Sequence, residues 1–405
     1  MMSQRKAAAI FAAFAFAYFF SALIRAITAT LAPTLVQEFS LNARDLGLLA
    51  GGYFLGFAAT QLPLGNWLDR FGPKKVVLGF LTIAVAGCAA FAMATSFWGL
   101  LAARVLCGVG VSACLMAPLT GYRRWFEPAN QMRANSWMLM VGAFGMVAST
   151  LPVQWLMPLI GWRSIFFLLA VLVVVAMGAI AWQAPDWSRA AVPAAPTNPP
   201  NAGYGEVWRN AYFRRLAPLG FFNYGGLVAM QTLWAAPWLV KVVGFSALEA
   251  ATALFWINMA MLVAFWLWGL ANPALARRGL STDRLIAAGI PVSLVVLVSI
   301  ILLGPQISAW GTIAWIIYCV SSTVGAFAQP AVALALPTHL AGRALSAFNL
   351  VIFCGVFVVQ WGVGLLIDAL KGMGLTELLA YQGAMTGYLL CCTGAYLYFL
   401  LSKKS

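Results

Sequence analysis

"GYFLGFAATQLPLGNWLDRFGPKKVVLGFLTIAVAGCAA", residues 52–90, decides the fold. Two apolar runs flank a knot of charge made by Asp69, Arg70, Lys74 and Lys75. A helix rises 1.5 Å per residue, so about 20 apolar residues cross a hydrocarbon core of roughly 30 Å. Each run is of about that length, and the knot has to stay in water. The chain therefore crosses, turns and crosses back, as helices, because hydrocarbon offers the backbone no other hydrogen-bond partner.

The pattern repeats along all 405 residues, which are 63% hydrophobic and 8% charged, with 17 Trp and 27 Phe. This composition belongs to an integral membrane protein. Twelve apolar runs are expected as spans, at about 7–36, 45–68, 74–95, 97–121, 132–158, 162–182, 212–240, 247–271, 283–303, 307–336, 344–367 and 377–401. The first follows Arg5 and Lys6, exceeds a signal-peptide core and lacks a small-residue cleavage site, so it is expected to stay. The formal charge of +14 is not gathered into a nucleic-acid-binding domain but sorted by loop. Of 24 Lys and Arg, Arg44, Arg163, Lys241 and Lys371 fall on one side and Arg25 and Arg104 within spans; the rest fall on the other side. By the positive-inside rule both termini are cytoplasmic. The seven cysteines are scattered through apolar spans, so neither a disulfide framework nor a metal site is expected.

Residues 183–210, "QAPDWSRAAVPAAPTNPPNAGYGEVWRN", carry five prolines and read as a cytoplasmic linker. It separates an N-terminal six-helix bundle, 1–182, from a C-terminal one, 211–405. The halves echo each other: "RWFEPANQMRANSW" after the fourth span resembles "PTHLAGRALSAFN" after the tenth, and "VQW" recurs at 153–155 and 359–361. The expected fold class is all-α, twelve transmembrane helices in two pseudo-symmetric six-helix bundles.

The loop "GNWLDRFGPKK", 65–75, resembles the G-x-x-x-D-R-x-G-[RK]-[RK]-[RK] loop of major facilitator superfamily transporters. Gly65, Asp69, Arg70, Gly72, Lys74 and Lys75 are in register, and Pro73 replaces the first basic position. "LLAARVLCGVGVSA" in the fourth span resembles the family's R-x-x-x-G-x-G element through Arg104, Gly108 and Gly110, and "GWRSIFF" at 161–167 is a common family opening of the sixth span. The resemblance implies that the 65–75 loop is an intracellular latch between the halves. Gly65 and Gly72 would permit a tight, closely packed turn, and Asp69 would accept from a helix N-terminus or pair with loop arginines. A solvated, topology-setting charge cluster is the plainer reading. The matching stretch of the second half, "GLANPALARRG" from 269, keeps Gly269, Arg277 and Arg278 but has Pro273 in place of the aspartate, which makes any latch one-sided.

Arg25, in "FSALIRAITATLAP" at 20–33, lies near the bilayer middle. A charge there costs at least ~2.5–3.5 kcal/mol on insertion scales, and Arg cannot shed its proton. All ten acidic residues lie at span ends or in loops. A guanidinium in that position is a fork-shaped receptor for a substrate carboxylate or phosphate. The anion:cation symporter type of organic anion carriers has an arginine at this place, often as Asp-Arg; here Ile24 precedes it. The alternative is that Arg25 holds backbone carbonyls and packs the first helix. Arg104 has the opposite balance: its element is shared across unrelated substrates, which points to structural or gating work.

Further substrate-binding candidates are Tyr53 and Gln61 in the second span, Trp137 in the fifth, and Asn223, Tyr224, Gln231 and Trp234 in the seventh. Asn258, Ser322, Gln329 and Asn349 add to them from spans eight, ten and eleven. Amides orient ligand oxygens and aromatics close above them, although helix packing is the plainer role for each. Gly225 and Gly226 beside Asn223 and Tyr224 mark a place where a gate helix could bend. His339 reads as a cytoplasmic surface residue, the "MLM" and "MAM" runs as packing, and no P-loop supports ATP-driven transport.

The expected function is a secondary carrier, not an enzyme, of a small organic anion, a carboxylate or sugar acid, across a bacterial-type inner membrane by alternating access. Uptake is the expected direction, with anion exchange and uniport standing beside proton symport because no central carboxylate is present. The expected partners are that anion, the coupling ion and the lipid bilayer, with no cofactor, no nucleic acid and a monomeric state. The rival is a proton-driven exporter of amphipathic drugs or cations, which usually needs a buried carboxylate and the Gly-Pro-x-x-Gly-Gly element; this chain has "GAFGMVAST" at 142–150 instead. A non-transporting receptor of the same fold is a third possibility.

Overall fold

The computed structural model describes residues 4–186, 204–278, 280–337 and 340–402, so His339 and linker residues 187–203 lie outside the described residues. Among those described there is no strand, and ten stretches are long and apolar enough to cross a membrane. The first half contains α1 (Gln4–Phe39), α2 (Ala43–Ala59), α3 (Gln61–Phe71), α4 (Pro73–Met93), α5 (Phe97–Val111), α6 (Ala113–Trp125), α7 (Pro128–Ala148) and α8 (Leu151–Gln183). The second contains α9 (Tyr204–Arg209), α10 (Ala211–Pro218), α11 (Gly225–Ala229), α12 (Ala235–Trp238), α13 (Ala247–Arg277), α14 (Thr282–Leu303), α15 (Gly311–Ser322), α16 (Ala328–Ala335), α17 (Ala341–Gly372) and α18 (Glu377–Leu401).

The two expected spans outside those ten, 45–68 and 132–158, are each broken inside. The breaks share a cause. Proline lacks the N–H and its ring crowds the carbonyl four residues back. Pro63 ends α2 at Ala59, and Pro152 ends α7 at Ala148. At the first break the Thr60 hydroxyl (2.8 Å) and the Gln61 amide (3.1 Å) both donate to the Phe57 carbonyl. α8 then runs on through Gly161, whose φ of 74° turns the chain between the fifth and sixth spans. Trp182, Leu302, Leu334 and Leu401 are exposed, as side chains facing lipid are.

The chain forms two units, Met1–Arg25 with Gly52–Ala202, and Ala26–Gly51 with Gly203–Ser405. In the first, α4 packs between α5 and α8. Phe91 stacks on Phe166 at 4.2 Å and meets Trp162 edge-on at 5.5 Å. Gly108 of α5 lies directly against the Tyr53 backbone of α2, so close that a Cβ would collide with the Tyr53 carbonyl oxygen.

In the second unit, the stretch Ala211–Val243 alternates α and π turns, with π segments Leu219–Tyr224, Met230–Trp234 and Leu239–Val243, and ends at Gly244, φ 87°. π turns leave carbonyls without their usual partners and recur at functional sites. Asp368 of α17 accepts from the Ala43 (3.2 Å) and Arg44 (2.7 Å) amides, capping α2. Tyr318 and Tyr388 share a hydrogen bond of 2.8 Å between α15 and α18. The end of the expected linker is helical: α9 buries Val207, and Trp208 meets Phe213 edge-on at 5.0 Å. "GLANPALARRG" also differs from a loop, since α13 runs through Arg277.

Candidate functional site

Every residue from 20 to 32 is buried except Arg25, which is half-buried. Arg25 is thus the one residue of this stretch that keeps part of its surface accessible. Its guanidinium lies over the Phe57 ring, 5.5 Å from the centroid, and beside the hydroxyls of Tyr18 and Tyr53. Tyr18 is seven residues earlier on α1, two turns along the same face. Tyr53 and Phe57 are one turn apart on α2 and stack at 6.2 Å. Gly142 of α7 receives the Tyr18 ring.

Arg104 is fully buried behind this group. Its Nη1 donates to the Ile24 carbonyl at 2.9 Å, and its guanidinium lies 5.0 Å from the centre of the Tyr53 ring. Nε and Nη2 find no hydrogen-bond partner among the described residues. Arg104 therefore anchors α5 to α1 at the residue preceding Arg25, and Tyr53 stands between two cations. Among the described residues the charged side chains near these phenols are Arg25 for Tyr18, and Arg25 and Arg104 for Tyr53, with no carboxylate among them. The surroundings hold a positive field, a guanidinium fork, phenol hydroxyls and a π face. Such a set can bind a carboxylate and orient hydroxyls beside it.

The other first-half candidates fare differently. Gln61 is buried and donates its side-chain amide to the Phe57 carbonyl, one turn back at the proline break. Trp137 stands 52% exposed on α7 instead of packing into the cluster. In the 65–75 loop, Gly72 makes the whole turn with φ 80°, ending α3 and starting α4 with Pro73 in the first turn. Gly65 corrects the expectation of a tight glycine pair: it is inside α3, and beyond its own helix backbone no described atom lies within 4 Å of where its Cβ would be. Burial pushes the Asp69 carboxyl above its ordinary value, and Arg123 and Arg124 pull it back. Lys74 pairs with Asp186 at 3.1 Å, and Arg70 lies over the Phe71 ring at 5.1 Å.

The second-half candidates form pairs within their own unit. Gln231 donates to Asn258 at 2.7 Å, and Gln329 to Asn349 at 2.6 Å. Tyr224 packs on Gly325, Ser322 is buried, and the Asn223 Oδ1 is buried with no hydrogen-bond partner among the described residues. Sequence reasoning missed Gln360 of α17. It is fully buried, its side-chain amide donates to Thr232 at 3.0 Å, and its backbone carbonyl accepts from the Trp234 indole at 3.1 Å. The repeated "VQW" at 359–361 was a signal for it. Tyr18 could have been found from its seven-residue spacing to Arg25; Phe57 carried no signal.

Three relatives share parts of this chain. It is 28% identical over 215 residues to "Inner membrane transport protein YajR" of Escherichia coli (strain K12), covering 50% of this chain and 44% of the relative. It is 25% identical over 237 residues to the "Probable L-galactonate transporter" of that strain, covering 57% and 48%. It is 25% identical over 146 residues to the strain's "Hexuronate transporter", covering 36% and 34%. The matched region spans less than half of each relative. Among solved structures, a bacterial homolog of the human lysosomal transporter Spinster matches with a TM-score of 0.80 and 18% identity over 99% of this chain and 98% of that one, a likeness of fold. The family model described as "Major Facilitator Superfamily" matches residues 14–360, in agreement with the helical architecture and the 65–75 loop, and the chain belongs to that superfamily of membrane transporters.

Proposed function

We propose that this transporter is a secondary carrier of a small organic anion, a carboxylate or sugar acid, and that Arg25 is its anion receptor. The carrying observation is the half-open Arg25 in an otherwise buried stretch, bordered by Tyr18, Tyr53 and Phe57. The guanidinium binds the carboxylate, the tyrosines orient hydroxyls, and Arg104 fixes α1 behind them. Two relatives named for galactonate and hexuronate, both sugar acids, support the substrate class. Alternating access between bundles 1–182 and 211–405, with cytoplasmic termini, uptake across an inner membrane and proton symport or anion exchange, completes the reading. Asp69, Arg70 and Lys74 set the balance of states as a latch, and Gln231, Asn258, Gln329 and Asn349 re-pair with ligand when it binds.

The test is a thermal-shift screen of purified protein against aldonates, hexuronates, aromatic carboxylates and lipophilic cations, with Arg25→Gln and Arg25→Lys beside the wild type. A ligand at 100 times its Kd adds about 2.7 kcal/mol of stability. An acid should stabilise the wild type, fail on Arg25→Gln and act partly on Arg25→Lys, and that acid should be taken up by reconstituted vesicles. Equal stabilisation of all three proteins by cations alone overturns the reading in favour of an exporter.

A further inference from the structure

Away from Arg25, the second unit has a cleft of about 400 Å³ where α10, the start of α14 and the end of α18 meet, lined by Arg215, Ser281, Asp283, Arg284, Ala287, Phe399 and Leu400. Its charges have distinct roles. Arg215 is buried, paired with Asp283 at 2.6 Å, donating to the Phe399 carbonyl at 2.9 Å and lying 4.2 Å from the centre of the Phe399 ring. The other Asp283 oxygen accepts from Tyr212 at 2.6 Å. The carboxylate in the cleft is thus already engaged. Arg284 is exposed, and its guanidinium makes no ion pair among the described residues. The Ser281 hydroxyl accepts from the Arg284 amide at 3.4 Å and keeps its own proton to donate.

Two further observations say what fits. Arg209 and Arg214 precede or open the Ala211–Val243 stretch, Arg277 closes α13, Arg278 follows it, and Arg284 opens α14, against Glu206 and Asp283. This end of the unit is strongly basic. The cleft also opens onto apolar surface: Val292 and Val295 of α14, and Leu397, Leu400 and Leu401 of α18, are all exposed. α14 and α18 are joined there by the Tyr396 hydroxyl donating to the Ala287 carbonyl at 2.6 Å. A cationic lip over an aliphatic groove is complementary to a molecule with an anionic head and apolar tails.

We propose that this cleft seats an anionic phospholipid. Arg284 and the Ser281 hydroxyl hold its phosphate, and its acyl chains lie along the exposed aliphatic side chains of α14 and α18. The inference rests on membrane embedding alone, so it stands or falls separately from the anion-carrier reading.

The test is binding of short-chain phosphatidylglycerol and phosphatidylcholine with matched chains to the purified full chain in non-ionic detergent, by thermophoresis. Wild type should prefer phosphatidylglycerol. Arg284→Gln should weaken that lipid about tenfold, the loss of one charge-assisted contact. Arg284→Lys should keep most of the preference, and Arg278→Gln, at the same basic end but outside the cleft, should keep all of it. Equal binding of both lipids, or an unchanged preference in Arg284→Gln, overturns the proposal. So does displacement of phosphatidylglycerol by glycerol 3-phosphate at similar concentration, which would make this a site for small free anions.

Discussion

Replacing Gly108 by alanine asks whether helix packing sets the walls around Arg25. The new Cβ would overlap the Tyr53 carbonyl oxygen, with the Tyr53 carbonyl carbon at 2.8 Å and the Phe57 amide nitrogen at 3.1 Å. All three are backbone atoms, so no rotamer change relieves the clash. α2 must move off α5 by about 1 Å to restore ordinary contact distances. Overpacking of this kind costs ~1–3 kcal/mol. Because α2 carries both Tyr53 and Phe57, the same displacement moves two of the groups that border Arg25. Gly65→Ala is the internal control. Beyond its own helix backbone no described atom lies within 4 Å of that Cβ, and the position is inside α3. Alanine there should stabilise by ~0.5–1 kcal/mol through helix propensity alone. One chemical change thus has opposite expected signs at two glycines of one unit. Thermal unfolding in detergent, followed by a thiol-reactive dye reporting on buried Cys88, Cys107 and Cys114, reads both. Gly108→Ala should melt several degrees below wild type and lose ligand stabilisation; Gly65→Ala should melt at or above it. A wild-type melt for Gly108→Ala together with a lowered one for Gly65→Ala would refute the packing argument.

The Asp69 carboxyl is raised by burial, so the folded state favours its protonated form. The cost of ionising it is absent below the ordinary carboxylate value and complete once the pH has risen through the raised folded value. Asp69→Asn should therefore melt slightly above wild type at pH 7, and the gap should close on acidification; a gap that is constant with pH contradicts the assignment. The buried Arg215–Asp283 pair makes a second case. Arg215→Met alone leaves a buried carboxylate without its ion-pair partner and should cost ~3–5 kcal/mol, whereas Arg215→Met with Asp283→Leu should recover most of it. Additive losses in the double variant, read from the same melts, would show that the pair is not the unit of stability.

Much of the fold was legible. α18 runs Glu377–Leu401 and α14 Thr282–Leu303, close to the apolar runs that predict them. The two broken spans each carry a proline four residues past a helix end, Pro63 and Pro152, but Pro33, Pro118 and Pro291 lie inside continuous helices, so proline alone did not mark the breaks. The site was legible only in part. Arg25 stands out because a permanent charge in an apolar run is costly wherever the run packs. Gln231 and Asn258 stand out as amides, but that they satisfy each other at 2.7 Å could not be read from either stretch.

The sequence by itself determined that the chain is a helical membrane protein, which runs are apolar enough to cross, and which side chains are out of place in lipid. Those are sums of local transfer free energies along the chain. Only the tertiary structure decided that Arg104 binds the Ile24 carbonyl, that Tyr53 lies between two guanidinium groups and that Phe57 lies under Arg25. The physical reason is that in a bilayer both the buried and the lipid-facing sides of a helix are apolar. Hydrophobic periodicity therefore does not mark which face turns inward, and the meeting of helix faces is set by close approach at residues such as Gly108.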